Sequence, residues 1–272
     1  MTEPKPQVVF VTGTSTGVGK TVTTAALAAC AVHAGHRVCV IKPVQTGEEP
    51  GSGDVAEVLR LLGPLAESVT TEEPYRFPSP LAPATAARVD GLPEVDVDEV
   101  VRQICAAAAH FDVVLVEGAG GALVRFDSSG STLLDVAQQV AAALTGTDPE
   151  PGPGSGVGPE PAADSPLLPG QVGVLTVAAA GLGTLNHTAL TLEAMDARGL
   201  TSYGVLVGSW PAEPDLAERN NVTDLADVSG MPLVGIVPEG AAQLDDFAVC
   251  AMDWISPRFH GRFQAPGAYS VP

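Results

Sequence analysis

Short apolar runs recur along this chain at residues 8–12, 37–42, 113–117, 172–177, 203–208 and 233–237. Each is apolar nearly throughout rather than alternating with polar residues, the pattern of strands buried on both faces. Between them lie alanine-rich segments with apolar positions at helical spacing, at 20–34, 54–62, 97–109, 133–144, 186–198 and 212–228, with another after 241. Alternating strand and helix predicts an α/β fold: a doubly wound, mainly parallel sheet of about seven strands with helices on both faces. Ligands of such sheets bind at the carboxyl ends of strands. The loops after Thr12, Lys42, Glu117, Val177 and Gly208 are therefore the places to look.

One stretch breaks the pattern. "TGTDPEPGPGSGVGPEPAADSPLLPG", residues 145–170, is rich in Pro, Gly and acid and has no periodicity. Such a segment cannot pack a core. It is expected to be a mobile surface insertion between a helix and the next strand of a single domain spanning 1–272. A linker between two domains is the competing reading.

Composition narrows the chemistry. Hydrophobic residues make up 45% of the 272 and aromatics only 4%, so Ala, Val and Leu must build the core. The formal charge is −19, from 13 Lys plus Arg against 32 Asp plus Glu. That surface repels nucleic acid and anionic membranes, and no partner of either kind is expected. The only lysines are Lys5, Lys20 and Lys42, and the last two lie at or beside strand ends. Cys30, Cys39, Cys105 and Cys250 have neither metal-ligand nor redox spacing and read as buried reduced thiols. No signal pattern opens the chain and no apolar stretch reaches the length of a span. A soluble cytoplasmic protein is the expectation.

The first strand runs into "VTGTSTGVGKT", residues 11–21. A glycine-rich turn opening a helix aims backbone N–H groups at one point, with the positive end of the helix dipole behind them. Lys20 suits the outer phosphates of a nucleotide and Thr21 a Mg²⁺ ion. The spacing is unusual, because the common phosphate loop would place a glycine where Thr14 stands. At the end of the second strand, "KPVQTG" puts Lys42 on the ligand crevice, Pro43 blocking helical continuation. The third ends in "VEGAGG", where Glu117 suits a metal-side acid and Gly118, Gly120 and Gly121 allow close backbone approach. Asp54, at the start of a helix, is a second acid or an N-cap; Glu57 is its rival or completes a capping box. "GLGTLNH", residues 181–187, is another helix start ready for an anion. The residues alone thus describe an Mg²⁺-nucleotide enzyme or switch with a second anion site.

"VTGTSTGVGKT", "KPVQTG", "VEGAGG" and "LGTLNHT", in this order, resemble the dethiobiotin synthetase family, whose members have a P-loop NTPase-like fold. The resemblance implies an ATP-dependent cyclo-ligase of biotin biosynthesis. It would act as a homodimer on 7,8-diaminononanoate and CO₂ or bicarbonate, passing through a carbamate and a carbamic-phosphoric anhydride. It implies that Gly17, Val18, Gly19, Lys20, Thr21 and Val22 hold the phosphates of ATP or another nucleoside triphosphate. Thr21, Asp54 and Glu117 would complete the Mg²⁺ site. Thr16, Lys42 and Thr46 would line the carbamate and the transferred phosphoryl group, with Lys42, Lys20 and Thr16 catalytic. Gly118, Ala119, Gly120 and Gly121 would contact the diamine. Thr184, Leu185 and Asn186 would bind the substrate carboxylate across the dimer interface. The adenine-reading asparagine of many relatives is replaced here by Gly208, Ser209 and Trp210, so nucleotide selectivity is expected to be relaxed or shifted; Pro238, Glu239 and Gly240 form the other base-side loop. The rival class is the partitioning or division-site nucleotide-switch ATPase. Its members carry an additional lysine early in the phosphate loop, where this chain has Thr14, Ser15 and Thr16.

Overall fold

β1 (Gln7–Gly13) lies at the centre of the sheet, paired in parallel with β6 (Val113–Gly121) on one side and β7 (Val172–Ala178) on the other. Beyond β6 come β2 (Val38–Ile41) and the edge strand β4 (Val69–Glu72). Beyond β7 come β8 (Ser202–Trp210) and β9 (Gly235–Pro238). The order is β4-β2-β6-β1-β7-β8-β9, and every pairing is parallel. This computed structural model describes residues 6–146, 167 and 170–265. The reading of 145–170 as a mobile insertion falls almost wholly outside them.

Two-sided burial follows from the strand period of two. In β1, Val9 and Val11 enter the core beneath α1 (Lys20–His33), α2 (Asp54–Leu62) and α8 (Phe247–Trp254). Val8 and Phe10 enter the opposite core, beneath α4 (Val97–Ala108) and α5 (Leu133–Thr145). A third cluster joins β8 to α6 (Thr184–Asp196) and α7 (Leu216–Ser229). Alanines 25, 26, 28 and 29 are fully buried in α1. Small side chains there let helix and sheet approach closely, as a core poor in aromatics requires. Of the four cysteines expected to be buried, Cys30 and Cys39 are, whereas Cys105 and Cys250, on the outward sides of α4 and α8, are half-buried.

Several elements depart from the expected bounds. The helix expected at 212–228 starts at Leu216, because Pro214 precedes Asp215 and Asp215 and Glu218 form a reciprocal capping box. The stretch 63–110 holds more than its pattern announced. It contributes the edge strand β4, the helix α3 (Pro83–Asp90) and β5 (Tyr75–Phe77), which pairs with β3 (Val44–Thr46) in a separate two-stranded sheet. These strands have only three or four residues each, too short for an alternation to register.

Candidate functional site

The carboxyl ends of β1, β2 and β6 open into a cleft of about 760 Å³, within the usual range for a small-molecule site. Its floor is the turn after β1. Gly19 has φ of +95° and serves as the N-cap of α1, a conformation that only glycine takes readily. The turn is pressed onto the end of β8: a Cβ at Gly208 would lie 2.1 Å from the carbonyl oxygen of Val18. Glycine at 208 is therefore what lets the loop seat against the sheet.

Lys20, at 7% exposure, donates from Nζ to the Ser15 carbonyl at 3.2 Å. Burial, and then the neighbouring Lys42 ammonium, pull its pKa below the ordinary lysine value. Thr21 Oγ1 donates to Glu117 Oε1 at 2.9 Å. Lys42, 3% exposed and just beyond β2, donates to Glu117 Oε1 at 3.1 Å and to the Gly118 carbonyl at 2.9 Å, and forms an ion pair with Asp54. Burial alone would lower its pKa, but the Glu117 and Asp54 carboxylates outweigh it and hold the ammonium charged. Glu117 is 1% exposed, and that burial pushes its carboxyl above the ordinary range despite Lys42. Burial also opposes ionisation of Asp54, yet Lys42 overcomes it and holds that carboxyl below its ordinary value. One ammonium thus joins two carboxylates that reach the cleft from α2 and β6.

The N-cap alternative for Asp54 fails here. Gly53 occupies the N-cap of α2, and Asp54 is the first helical residue with its carboxylate on Lys42. Glu57 faces outward and pairs with Arg60 at 2.6 Å. Thr16, Gly17, Gly19, Lys20, Thr21, Val22, Lys42, Thr46, Asp54, Glu117, Ala119 and Gly120 all line the cleft. Gln45, Glu48 and the 80–83 segment line it too, and none was expected from the sequence. Gln45 sits inside "KPVQTG" and was within reach of that motif; the Pro-rich 80–83 segment carries no chemical signal.

Gly118 meets Lys42 through its carbonyl and Val18 lies in the turn seated on Gly208; the other expected residues lie outside the cleft. Gly121 lines a separate hollow of about 290 Å³ with Thr14, His187 and Leu190. Thr184, Leu185 and Asn186 form the first turn of α6, beyond β7. Thr184 is turned inward, and its hydroxyl has no hydrogen-bond partner among the described residues. Asn186 is exposed. Ser209 and Pro238–Gly240 lie at the ends of β8 and β9, joined by a 2.7 Å hydrogen bond from the Glu239 N–H to the Trp210 carbonyl.

A family model described as an AAA domain matches residues 7–144 and 170–244. ATP-dependent dethiobiotin synthetase BioD of Streptomyces avermitilis is 46% identical over 95% of this chain and 95% of its own length. The proteins of that name from Rhodococcus jostii and Mycobacteroides abscessus are 47% and 41% identical, covering 91% and 93% of this chain and 94% and 96% of theirs. The chain belongs to the dethiobiotin synthetase family. The fold it shares is wider than that family. FtsY of Mycoplasma mycoides superposes with a TM-score of 0.51 at 14% identity, over 92% of this chain and 67% of its own. A ParA family ATPase of Chlorobium tepidum superposes at 0.50 and 14%, over 91% and 89%. Likeness at that identity is likeness of fold. In this chain the Glu117 and Asp54 carboxylates are presented by β6 and α2, and the glycine-rich turn joins β1 to α1. Among the described residues no helix is long and apolar enough to cross a membrane, and no three His, Cys, Asp or Glu side chains cluster as a ready-made metal cage.

Proposed function

We propose that this member of the family closes the ureido ring of dethiobiotin in the cleft at the ends of β1, β2 and β6. The substrates are 7,8-diaminononanoate, CO₂ or bicarbonate, and a nucleoside triphosphate. One amine adds to CO₂ and loses a proton, giving a carbamate. A carbamate oxygen takes the γ-phosphoryl group and ADP departs. The second amine then attacks the carbamoyl carbon and expels phosphate.

Each step brings anions together, so charge neutralisation and positioning dominate the work. Lys20 and the N–H groups from Gly17 to Val22 suit the β- and γ-phosphates. Thr21, Asp54 and Glu117 would hold Mg²⁺. Their hard oxygens converge, with Thr21 and Glu117 2.9 Å apart, and Mg²⁺ typically takes one or two carboxylates together with phosphate oxygens. When bound, the ion neutralises charge on the nucleotide phosphates. Lys42 is already charged and aimed at the same point, which favours an electrostatic stabiliser of the carbamate and transferring phosphoryl group over a base. Thr16 and Thr46 supply hydroxyls beside it, and Gly118–Gly121 leave room for the diamine. The first turn of α6, Thr184–Asn186, suits the substrate carboxylate across the interface of a homodimer. At the base side, Gly208, Ser209 and Gly240 present backbone and small side chains beside Pro238 and Glu239, with no asparagine among them, which supports relaxed or shifted nucleotide selectivity. The enzyme would work in the cytoplasm.

The observation that carries this reading is the bridging of Asp54 and Glu117 by Lys42 beside Lys20 and Thr21. The test is to supply diaminononanoate, bicarbonate, Mg²⁺ and each nucleoside triphosphate in turn, and to follow dethiobiotin by mass. Product with at least one nucleotide is expected. No product with any would sink the reading.

A further inference from the structure

Asp54 reaches the cleft at the end of a loop, residues 47–53, tied at its start by the Gly47 N–H on the Phe77 carbonyl at 3.0 Å and within itself by Ser52 Oγ, which donates to the Glu49 carbonyl at 2.8 Å. The loop contains glycines at 47, 51 and 53, all with positive φ, and no helix or strand. Yet the carboxylate that follows it must meet Lys42, Glu117 and Thr21 from across the cleft. Such a group has to be held within roughly 0.5 Å of its working position.

The stretch from Glu48 to Ser52 is held from outside by Arg76, a residue that does not line the cleft. It lies on β5, where it is the register partner of Gln45 on β3. A guanidinium has five N–H donors in a rigid fork, and here all five are engaged. Nη1 donates to the Glu48 carbonyl at 3.0 Å and the Glu49 carbonyl at 2.8 Å. Nη2 donates to the Ser52 carbonyl at 2.8 Å. Nε and Nη2 also grip Glu73 at 2.7 and 3.0 Å. One charged group, anchored on a neighbouring carboxylate, therefore gathers three loop carbonyls. Gln45 completes the arrangement: its Oε1 accepts from the Asp54 N–H at 2.9 Å, and it packs where a Cβ on Gly53 would stand. The small β3–β5 sheet thus sets two side chains at the same register level, one gathering the loop and the other meeting the backbone of Asp54.

We infer that Arg76 is a positioning residue for the metal-side acid, fixing the 47–53 loop so that Asp54 stands opposite Glu117. The inference rests on the proposed role of Asp54. Lysine cannot replace it, because a single ammonium lacks the planar fork that spans the carbonyls and Glu73.

The test compares wild type with Arg76→Gln, Arg76→Lys and Asp54→Asn. The readouts are Mn²⁺ affinity in the presence of ADP by electron paramagnetic resonance, ADP affinity in EDTA, and hydrogen exchange of the 47–53 amides. Groups that orient metal ligands are typically worth about 10- to 100-fold in metal affinity. Arg76→Gln is expected to weaken Mn²⁺ about tenfold and speed loop exchange, with ADP affinity in EDTA unchanged; Arg76→Lys should not rescue it. Wild-type Mn²⁺ affinity in Arg76→Gln, alongside a loss in Asp54→Asn, would overturn the inference alone. Wild-type Mn²⁺ affinity in Asp54→Asn would overturn the role of Asp54 and the inference with it. Should Arg76→Gln fail to fold, Glu73→Gln, which cuts only the anchor, is expected to weaken Mn²⁺ in the same direction. No change there would count against the inference.

Discussion

Two neighbouring strands end in the same backbone device but lead to different chemistry. β1 runs into Gly17-Val18-Gly19 and β7 into Gly181-Leu182-Gly183. In each case the last glycine is the N-cap of the next helix, with φ of +95° and +90°, and neither cap has a side-chain hydrogen bond. Both helix starts therefore offer peptide N–H groups without intrahelical partners, at the positive end of a helix dipole. The first turns differ. α1 opens with Lys20 and Thr21, beside two carboxylates and a second lysine. α6 opens with an inward Thr184 and an exposed Asn186, and Leu182 before it is 88% exposed. The first start suits a polyanion accompanied by a cation. The second, with no lysine or arginine in its first turn, suits a single carboxylate. The backbone supplies a generic anion cradle, and the side chains around it decide how much charge it is meant to take.

Breaking the β1 side at its charge centre should have the largest effect. Lys42→Ala is expected to lower kcat about 100-fold, the scale of one lost transition-state donor, with nucleotide affinity nearly unchanged. Single-turnover formation of dethiobiotin alongside equilibrium nucleotide binding would check the split, and unchanged turnover would remove Lys42 from the mechanism.

The two cap glycines sharpen the comparison through stability. An alanine Cβ at 19 would lie 2.3 Å from the Gly208 carbonyl oxygen, whereas one at 183 meets nothing nearer than His187 at 3.7 Å. Gly183→Ala should cost about 1 kcal/mol from backbone strain alone. Gly19→Ala should cost more than about 3 kcal/mol, strain and displaced loop together. Denaturant unfolding of both variants measures the difference, and equal losses would mean that the phosphate loop is free to move off β8.

On the β7 side, Asn186→Ala should raise the KM for diaminononanoate about tenfold, as expected for one hydrogen bond to a charged group, without affecting nucleotide. Steady-state kinetics with each substrate varied would show it. The smallest effect is expected from Thr184→Val. Its hydroxyl is buried without a partner among the described residues, so stability should change by less than about 0.5 kcal/mol or rise slightly. A larger loss on unfolding would reveal a partner for that hydroxyl.

The sheet and the β1 cleft were legible because their signals are local. Val8 to Thr12 is a continuous apolar run, and Gly-Lys-Thr follows it within one turn. Lys42 lies just beyond such a run, as strand-end logic expects; Glu117 closes its apolar run but lies inside β6, which continues through the glycines to Gly121. The 63–110 stretch was opaque because its strands are too short to show a period. Arg76 was invisible for another reason. Its hydrogen bonds reach carbonyls 24 to 28 residues away, and backbone carbonyls carry no residue signature. Gly208 was noticed only as a missing asparagine. Its own role, making room for the phosphate loop, depends on a close approach between two strand ends that only three dimensions reveal.

The division of labour between the two turns is tested most directly by measuring affinities for nucleotide and for diaminononanoate in Gly19→Ala and Gly183→Ala. The account predicts that Gly19→Ala weakens nucleotide at least tenfold, and that Gly183→Ala weakens the diamine while leaving nucleotide at its wild-type affinity. Equal weakening of nucleotide in both variants, or wild-type diamine affinity in Gly183→Ala, would contradict it.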